Sequence, residues 1–172
     1  MLSEKMQAEL NKQINAELFS AYLYYAMSAY FESIDLAGAA TWMRCQTQEE
    51  LFHASKIFAY VNERDGRVVL EAIQGPDKEW ASPLAAFQAA YKHEQKVSAL
   101  INSLVTLARK EKDHMTDNFL QWFVTEQVEE ESSVNAVVRK LKLVGTEGGG
   151  MFMIDNELGQ RVFVYPPASG GA

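Results

Sequence analysis

Cysteine, proline and glycine are all scarce in this chain, and each scarcity excludes a class of structure. Cys45 is the one cysteine among 172 residues, which excludes an intrachain disulfide framework and any Cys-x-x-Cys metal or redox site. Proline occurs only four times, and glycine is absent from 1–37, 39–65 and 76–144. Long stretches without either residue predict long helices.

Positive charge is also in deficit. The chain has 16 basic and 23 acidic residues, which gives a net charge of -7. This balance disfavours binding to a phosphate backbone, so we expect no nucleic-acid partner and consider cations the more natural electrostatic partner. The amino terminus becomes charged at Glu4 and Lys5, and no long apolar run follows. We therefore expect neither a signal peptide nor a membrane span, and a cytoplasmic location.

Glycine and polar residues divide the chain into two predicted helical hairpins. The first helix spans about 5–34 and the second about 39–64, with Gly38 in the short break between them. The glycine-free stretch after Pro83 is too long for one helix in a compact domain, so we divide it at its most polar interior point, 110–114. The fold class is therefore predicted to be all-α.

A long extended connection, 67–82, joins the two hairpins. Ser82 is the predicted cap and Pro83 the predicted first turn of the third helix. Residue spacing alone allows the second and third helices to run parallel or antiparallel. The length of the connection favours the parallel arrangement, because at ~3.3 Å per residue it reaches along a bundle of ~40 Å.

The carboxyl end is predicted to form a short helix and a tail. After the glycine run 148–150, the apolar segment from Met151 to about Leu158 is a weak fifth helix. We expect one domain over 1–158 and a flexible C-terminal tail over 159–172.

Each of the four long helices carries a carboxylate on or beside its apolar face, near its middle. The predicted apolar face of the first helix is Leu10, Ile14, Leu18, Ala21, Tyr25 and Ser28, with Glu17 and Tyr24 beside it. The carboxylates of the other three helices are Glu50, Glu94 and Glu130. If paired helices hold these carboxylates level, the two turns fall at 33–34, which is close to the Gly38 break, and at Lys112, which is inside the polar break 110–114.

Four ionised carboxylates at one height in a low-dielectric core would repel one another and raise one another's pKa. No Lys or Arg lies on these rows at that height, whereas two divalent cations would balance the four charges. Glu50 and His53 form a Glu-x-x-His pair, which is the ligand motif of di-iron carboxylate bundles. Oxygen-rich ligation with one imidazole suits iron or manganese.

These residues resemble the ferroxidase centre of ferritins, and most of all that of bacterial non-haem ferritins. The resemblance rests on Glu17, Tyr24, the segment 50–53, Glu94 and the segment 127–130. It implies a ferritin-like four-helix bundle with a long crossover between helices two and three and a short fifth helix. It also implies a ferroxidase that oxidises ferrous iron with oxygen or peroxide. The ferric product would be stored as a mineral inside a hollow homo-oligomer of twenty-four subunits.

The resemblance assigns a role to individual residues. One iron would be bound by Glu17, Glu50 and His53, and the second by Glu50, Glu94 and Glu130. Gln127 would be a weak ligand or a hydrogen-bond donor to a ligand. Tyr24 would hydrogen-bond a ligand carboxylate and supply an electron, although plain core packing is the alternative. A third iron site of bacterial ferritins would fall at Glu49, Glu126 and Glu129 with Glu130, unless the acidic run 129–131 is simply a solvated face.

Some positions depart from related families. Bacterioferritin would have a second Glu-x-x-His motif where this chain has Gln127 and Glu130, and a haem-binding methionine where it has Leu51, so no haem is expected. Trp122 is expected to pack close to the site. His93 and His114 lack ligand spacing and are expected to be solvated.

Two other classes of function are alternatives. A di-iron electron-transfer or peroxide-reducing enzyme of the rubrerythrin kind would usually add a cysteine-rich iron domain, which one cysteine excludes. A metal-free helical scaffold would carry apolar residues in place of Glu17 and Glu94.

Overall fold

Five helices make up most of the described chain, residues 1–145 and 148–165, in a computed structural model. They are α1 (Glu4–Ser33), α2 (Ala37–Glu63), α3 (Pro83–Glu111), α4 (His114–Val144) and α5 (Gly148–Leu158). Every regular element within these residues is a helix, which confirms the all-α prediction. None of the helices in the described ranges is both long and apolar enough to cross a membrane.

The helix ends are fixed by side-chain caps and tight turns. The Ser82 hydroxyl accepts a hydrogen bond from the Ala85 N–H at 3.1 Å, and Pro83 occupies the first turn of α3. The α3–α4 turn is made by Lys112, which adopts a left-handed conformation at φ 58°. The predicted cap at Ser82 and the predicted turn at Lys112 are both confirmed.

The connection between the hairpins, 64–82, runs along α1 from its start to its end. Near the start of α1, the Arg67 N–H donates a hydrogen bond to Gln7 Oε1 at 2.9 Å. Near the end of α1, the Trp80 ring packs edge-on against Tyr30, with ring centroids 5.2 Å apart. The helix α2 ends beside the start of α1, and α3 begins beside the end of α1. The two helices α2 and α3 therefore run parallel. The arrangement favoured by the length of the connection is confirmed.

The apolar core forms two clusters with a polar layer between them. One cluster includes Tyr24, Met27, Phe31, Met43, Phe87 and Val134. The other includes Leu10, Ile14, Ile57, Ile101, Leu120 and Phe123. On each of the four long helices the predicted carboxylate falls between residues of the two clusters. Burial of each large side chain stabilises the fold by about 1.5–3 kcal/mol, and the clusters keep bulk water from both sides of the layer.

The inward face of α1 differs from the predicted one. Tyr25 is 61% exposed, whereas Tyr24 is fully buried and Glu17 is only 1% exposed. The buried face therefore continues from Ala21 to Tyr24, three residues later, and does not include Tyr25. Tyr24 lies on this face because its hydroxyl hydrogen-bonds Glu94 on α3. The carboxylate of α1 lies within its buried face and not beside it.

Gly38 lies inside α2 and not in the break before it, which corrects the predicted boundary. The N–H groups of Gly38 and Ala39 donate to the two carboxylate oxygens of Asp155 at 3.0 and 2.8 Å. A Cβ at position 38 would lie 1.7 Å from the main-chain oxygen of Asp155. Asp155 of α5 thus caps α2, and glycine is required because the two helices approach so closely.

The fifth helix is longer than predicted because it begins at Gly148 and includes the glycine run. Its Ile154 and Leu158 are buried against the rest of the bundle, which anchors it. The chain then continues without regular secondary structure over 161–165. The remainder of the predicted tail, 166–172, lies outside the described residues.

Candidate metal centre

A layer of buried carboxylates lies between the two apolar clusters, and each long helix contributes to it. Its members are Glu17 of α1, Glu50 and His53 of α2, Glu94 of α3 and Glu130 of α4, each at most 6% exposed. We call this set the carboxylate layer. The helices place it at mid-height because α1 and α2, and likewise α3 and α4, reverse direction at the breaks in the sequence.

The tightest group within the layer is Glu17, Glu50 and His53. One potential ligand atom from each lies within 4.8 Å of the other two. His53 Nδ1 is 3.5 Å from Glu50 Oε2. Glu17 Oε2 and Glu50 Oε2 are buried without a hydrogen-bond partner among the described residues. Unpaired buried carboxylate oxygens are costly, so this donor set fits a cation that binds oxygen and imidazole.

Glu94 and Glu130 are held by hydrogen bonds from neighbouring helices. The Tyr24 hydroxyl donates to Glu94 Oε1, and Gln127 Nε2 donates to Glu94 Oε2 at 3.2 Å. Gln46 Nε2 donates to Glu130 Oε2 at 2.5 Å. Gln46 was not among the predicted site residues, although its place on the same row of α2 as His53 was a usable signal.

Burial shifts the acid–base equilibria of the layer toward the protonated forms. The pKa values of Glu17, Glu50 and Glu130 lie well above their ordinary value, and burial is the largest cause for each. The second cause is a neighbouring carboxylate: Glu50 for Glu17, Glu94 for Glu50, and Glu50 for Glu130. Burial and mutual repulsion therefore favour the protonated forms of these three carboxyl groups, and a cation that binds the layer competes with protons.

A cavity of about 480 Å³ opens beside the layer, and we call it the vestibule. Its acidic residues are Glu49, Glu126, Glu129 and Glu130, and its inner end reaches His53. The rest of it is lined by Phe52, Trp122, Ser133 and the segment 161–164. The Trp122 ring packs edge-on against His53 with centroids 5.4 Å apart, as expected from the sequence. The three carboxylates predicted to hold a third iron therefore face one cavity and lie outside the buried group.

Arg161 brings a positive charge to the vestibule that the sequence did not lead us to expect. Its Nη2 lies 2.5 Å from Glu49 Oε2, and its Nη1 donates to Gln46 Oε1 at 2.9 Å. The sequence carries no local signal for this pair, because Arg161 follows α5 and is far from Glu49 in the chain.

The two remaining histidines differ from each other. His114 is exposed, as expected. His93, which was expected to be solvated, is half-buried, and its Nε2 lies 2.7 Å from the Ser20 hydroxyl. Burial and the charge of Lys96 lower the pKa of His93 to about 4. It is a neutral packing residue at neutral pH.

Four long helices, a crossover that spans the bundle, and buried carboxylates with one histidine define the class of metal-binding carboxylate bundles. The family described as "Ferritin-like domain" matches residues 7–144, and the chain belongs to that family. The resemblance to ferritins is confirmed.

Named relatives cover nearly the whole chain. A bacterial non-heme ferritin of Bacteroides fragilis is 44% identical over 161 residues, which is 94% of this chain and 100% of that protein. One of Campylobacter jejuni is 40% identical over 155 residues, which is 90% of this chain and 93% of that protein. The structure of an open pore ferritin from the hyperthermophilic archaeon Archaeoglobus fulgidus superposes with a TM-score of 0.94. It is 53% identical and covers 94% of this chain and 100% of its own.

Proposed function

We propose that this protein stores iron by oxidising ferrous ions at the carboxylate layer and depositing the ferric product as a mineral inside a hollow shell. The observation that carries the proposal is that Glu17 Oε2 and Glu50 Oε2 are buried close to His53 and have no hydrogen-bond partner among the described residues. The relatives named as non-heme ferritins support the same function.

Ferrous iron is the substrate of the layer. Glu17, Glu50 and His53 bind one ion, and Glu50, Glu94 and Glu130 bind the second, with Glu50 shared. Hard carboxylate ligands stabilise ferric over ferrous iron, which favours the loss of one electron from each ion. Oxygen or peroxide accepts the electrons together with protons. Gln127 keeps Glu94 in place through its hydrogen bond to Glu94 Oε2.

Tyr24 contacts Glu94, a proposed ligand of the second ion. Its hydroxyl is fully buried and donates to Glu94 Oε1. Burial and the charge of Glu94 raise the pKa of Tyr24 well above its ordinary value, so the hydroxyl keeps its proton and remains a donor. We assign it the orientation of Glu94 and the supply of an electron during reduction of the oxidant.

The vestibule holds a further iron ion at Glu49, Glu126 and Glu129 with Glu130, which also belongs to the carboxylate layer. Glu126 and Glu129 are reachable from solvent, whereas Glu130 is buried. This order gives incoming and departing ions a path lined by carboxylates.

The subunit is a wall segment of a homo-oligomer, which we propose contains twenty-four copies. Tyr22 and Tyr25 on α1 and Phe58 on α2 expose about half of their large apolar side chains. Exposed apolar side chains on one hairpin favour burial against like subunits. We assign the iron-binding domain to 1–158 and the C-terminal tail to 159–172.

The test compares Glu50→Gln with Glu63→Gln, an exposed carboxylate on the same helix. We expect Glu50→Gln to slow ferrous oxidation by at least about tenfold, because it removes the shared ligand, and Glu63→Gln to leave the rate unchanged. Ferric absorbance measures the rate after mixing with ferrous iron and oxygen. An unchanged rate in Glu50→Gln would show that the catalytic assignment is wrong.

Light scattering on the same samples tests storage. We expect a particle many times the 19.3 kDa mass of the subunit, with iron retained in it after gel filtration. A small species that retains no iron contradicts storage in a shell.

A further inference from the structure

Arg161 is docked on one stripe of α2 by four contacts. Its guanidinium pairs with Glu49, donates to Gln46, and lies 4.3 Å from the centroid of the Trp42 ring. Its main-chain oxygen accepts a hydrogen bond from Cys45 Sγ at 3.4 Å. Cys45, Gln46 and Glu49 follow Trp42 by three, four and seven residues, so all four partners share one face of α2.

The position of this arginine matters because the vestibule is otherwise acidic. Arg161 is the one lysine or arginine that lines the vestibule within the described residues. Burial raises the pKa of Glu49, while the charge of Arg161 opposes that shift. The guanidinium therefore favours the ionised form of Glu49, as a bound metal cation would.

Gln46 connects Arg161 to the carboxylate layer. Because its Oε1 accepts from Arg161, its amide nitrogen must face inward, where it donates to Glu130 Oε2 at 2.5 Å and to Glu50 Oε1 at 3.4 Å. A change at Arg161 consequently reaches two of the proposed iron ligands through a single side chain.

The segment 161–165, which carries Arg161, also covers the vestibule. Val162, Phe163 and Val164 line the cavity with Arg161, and the Tyr165 ring packs edge-on against Phe52 with centroids 6.2 Å apart. Arg161 thus attaches to α2 the same segment that forms this wall of the vestibule.

We propose that Arg161 is a tethered cation that occupies the vestibule in place of a metal ion. A ferrous ion entering the vestibule takes Glu49 from Arg161, which then releases the segment 161–165 from α2 and frees Gln46. The identity of the ion rests on the proposed function, whereas the exchange of Arg161 for a divalent cation does not.

Cys45 offers a readout that is independent of oxidation activity. It is the only cysteine in the chain, is 8% exposed, and donates to the Arg161 main chain. Its reaction rate with an aromatic disulfide reagent therefore reports whether the segment is docked. Mn²⁺ is a suitable probe because it prefers carboxylates to thiols and, unlike ferrous iron, is not oxidised during the labelling measurement. Electron paramagnetic resonance counts the bound ions.

We expect Mn²⁺ to raise the labelling rate of Cys45 in the chelator-treated native protein by roughly tenfold, the effect of releasing one charge-assisted contact. Arg161→Gln should label fast without metal and bind Mn²⁺ in the vestibule roughly tenfold more tightly. Arg161→Lys, which keeps the charge, and Arg109→Gln, which removes an arginine paired with Asp117 elsewhere, should bind Mn²⁺ as the native protein does.

Two results would overturn the proposal. Labelling that Mn²⁺ leaves unchanged or slows shows that Arg161 is not displaced, and this arm needs only the native protein. Weaker or unchanged Mn²⁺ binding in Arg161→Gln shows that Arg161 merely positions Glu49. If the native protein fails to oxidise ferrous iron, the proposed function fails, while these measurements still decide the role of Arg161.

Discussion

Two adjacent tyrosines on α1 show how strongly one position on a helix decides the role of a side chain. Tyr24 is fully buried and bonded to Glu94, whereas Tyr25 is 61% exposed. Both offer the same phenol, so only the environment differs. Loss of the Tyr24 hydroxyl leaves a buried carboxylate oxygen without its donor, whereas loss of the Tyr25 hydroxyl changes a group at the surface of the subunit, outside the carboxylate layer.

We therefore expect Tyr24→Phe to slow ferrous oxidation without lowering the number of Mn²⁺ ions bound. The free energy of unfolding should fall by about 1–3 kcal/mol, because an acceptor is left unsatisfied in the core. Tyr25→Phe is the matched control and should change neither quantity. Stopped-flow absorbance and chemical denaturation are the measurements, and equal behaviour of the two variants would remove the role assigned to Tyr24.

Residue types and spacing were enough to identify the carboxylate layer but not its surroundings. Glu17, Glu50 and His53 were found because a charged side chain on a buried row needs compensation, and helical periodicity shows that in the sequence. Arg161 could not be found in this way. Its contacts depend on where the segment 161–165 returns to α2, and no local periodicity encodes that.

Helix boundaries, too, can be predicted where the signal is local but not where the cause is a contact with a distant segment. Ser82, Pro83 and Lys112 carry local signals for a cap or a turn, and the predicted boundaries there are confirmed. Gly38 was taken as a helix break, yet it lies within α2 because Asp155 approaches from α5. A glycine kept for a close contact looks the same in sequence as a glycine kept for a turn.

Close contact at Gly38 leads to a prediction about α5. Gly38→Ala places a Cβ 1.7 Å from the Asp155 main-chain oxygen, so α5 must shift and the cap on α2 is lost. We expect a loss of about 1–3 kcal/mol in the free energy of unfolding and faster proteolysis within α5. Gly75→Ala is the control, because a Cβ there meets no atom within 4 Å and should change stability by less than about 0.5 kcal/mol. Equal stability of the two variants would show that α5 does not depend on this contact.

For the whole molecule, the buried acids predict how stability depends on pH. The folded-state pKa values of Glu17, Glu50 and Glu130 lie well above 4.5, so the folded protein keeps protons that the unfolded chain releases. The resulting stabilisation is fully present below about pH 4.5 and is lost as the pH rises through the folded-state values.

The Tm of the chelator-treated protein should therefore fall as the pH rises above about 4.5, and Mn²⁺ should restore it, because the ion replaces the lost protons. Scanning calorimetry across this range is the measurement. Glu50→Gln should make the Tm depend less on pH, whereas Glu63→Gln should have the same pH dependence of the Tm as the native protein. The same pH dependence of the Tm in metal-free Glu50→Gln as in the metal-free native protein would contradict the protonated state of the layer.

The chain crosses the bundle once, over 64–82, and this path divides the proposed iron ligands between two hairpins. The first hairpin carries Glu17, Glu50 and His53, and the second carries Glu94 and Glu130. A partly folded chain therefore cannot assemble the complete pair of sites, even where one hairpin has already formed. The iron oxidation that we propose uses both ions, so it is confined to subunits whose two hairpins have docked, and the fold protects a newly made chain from that chemistry.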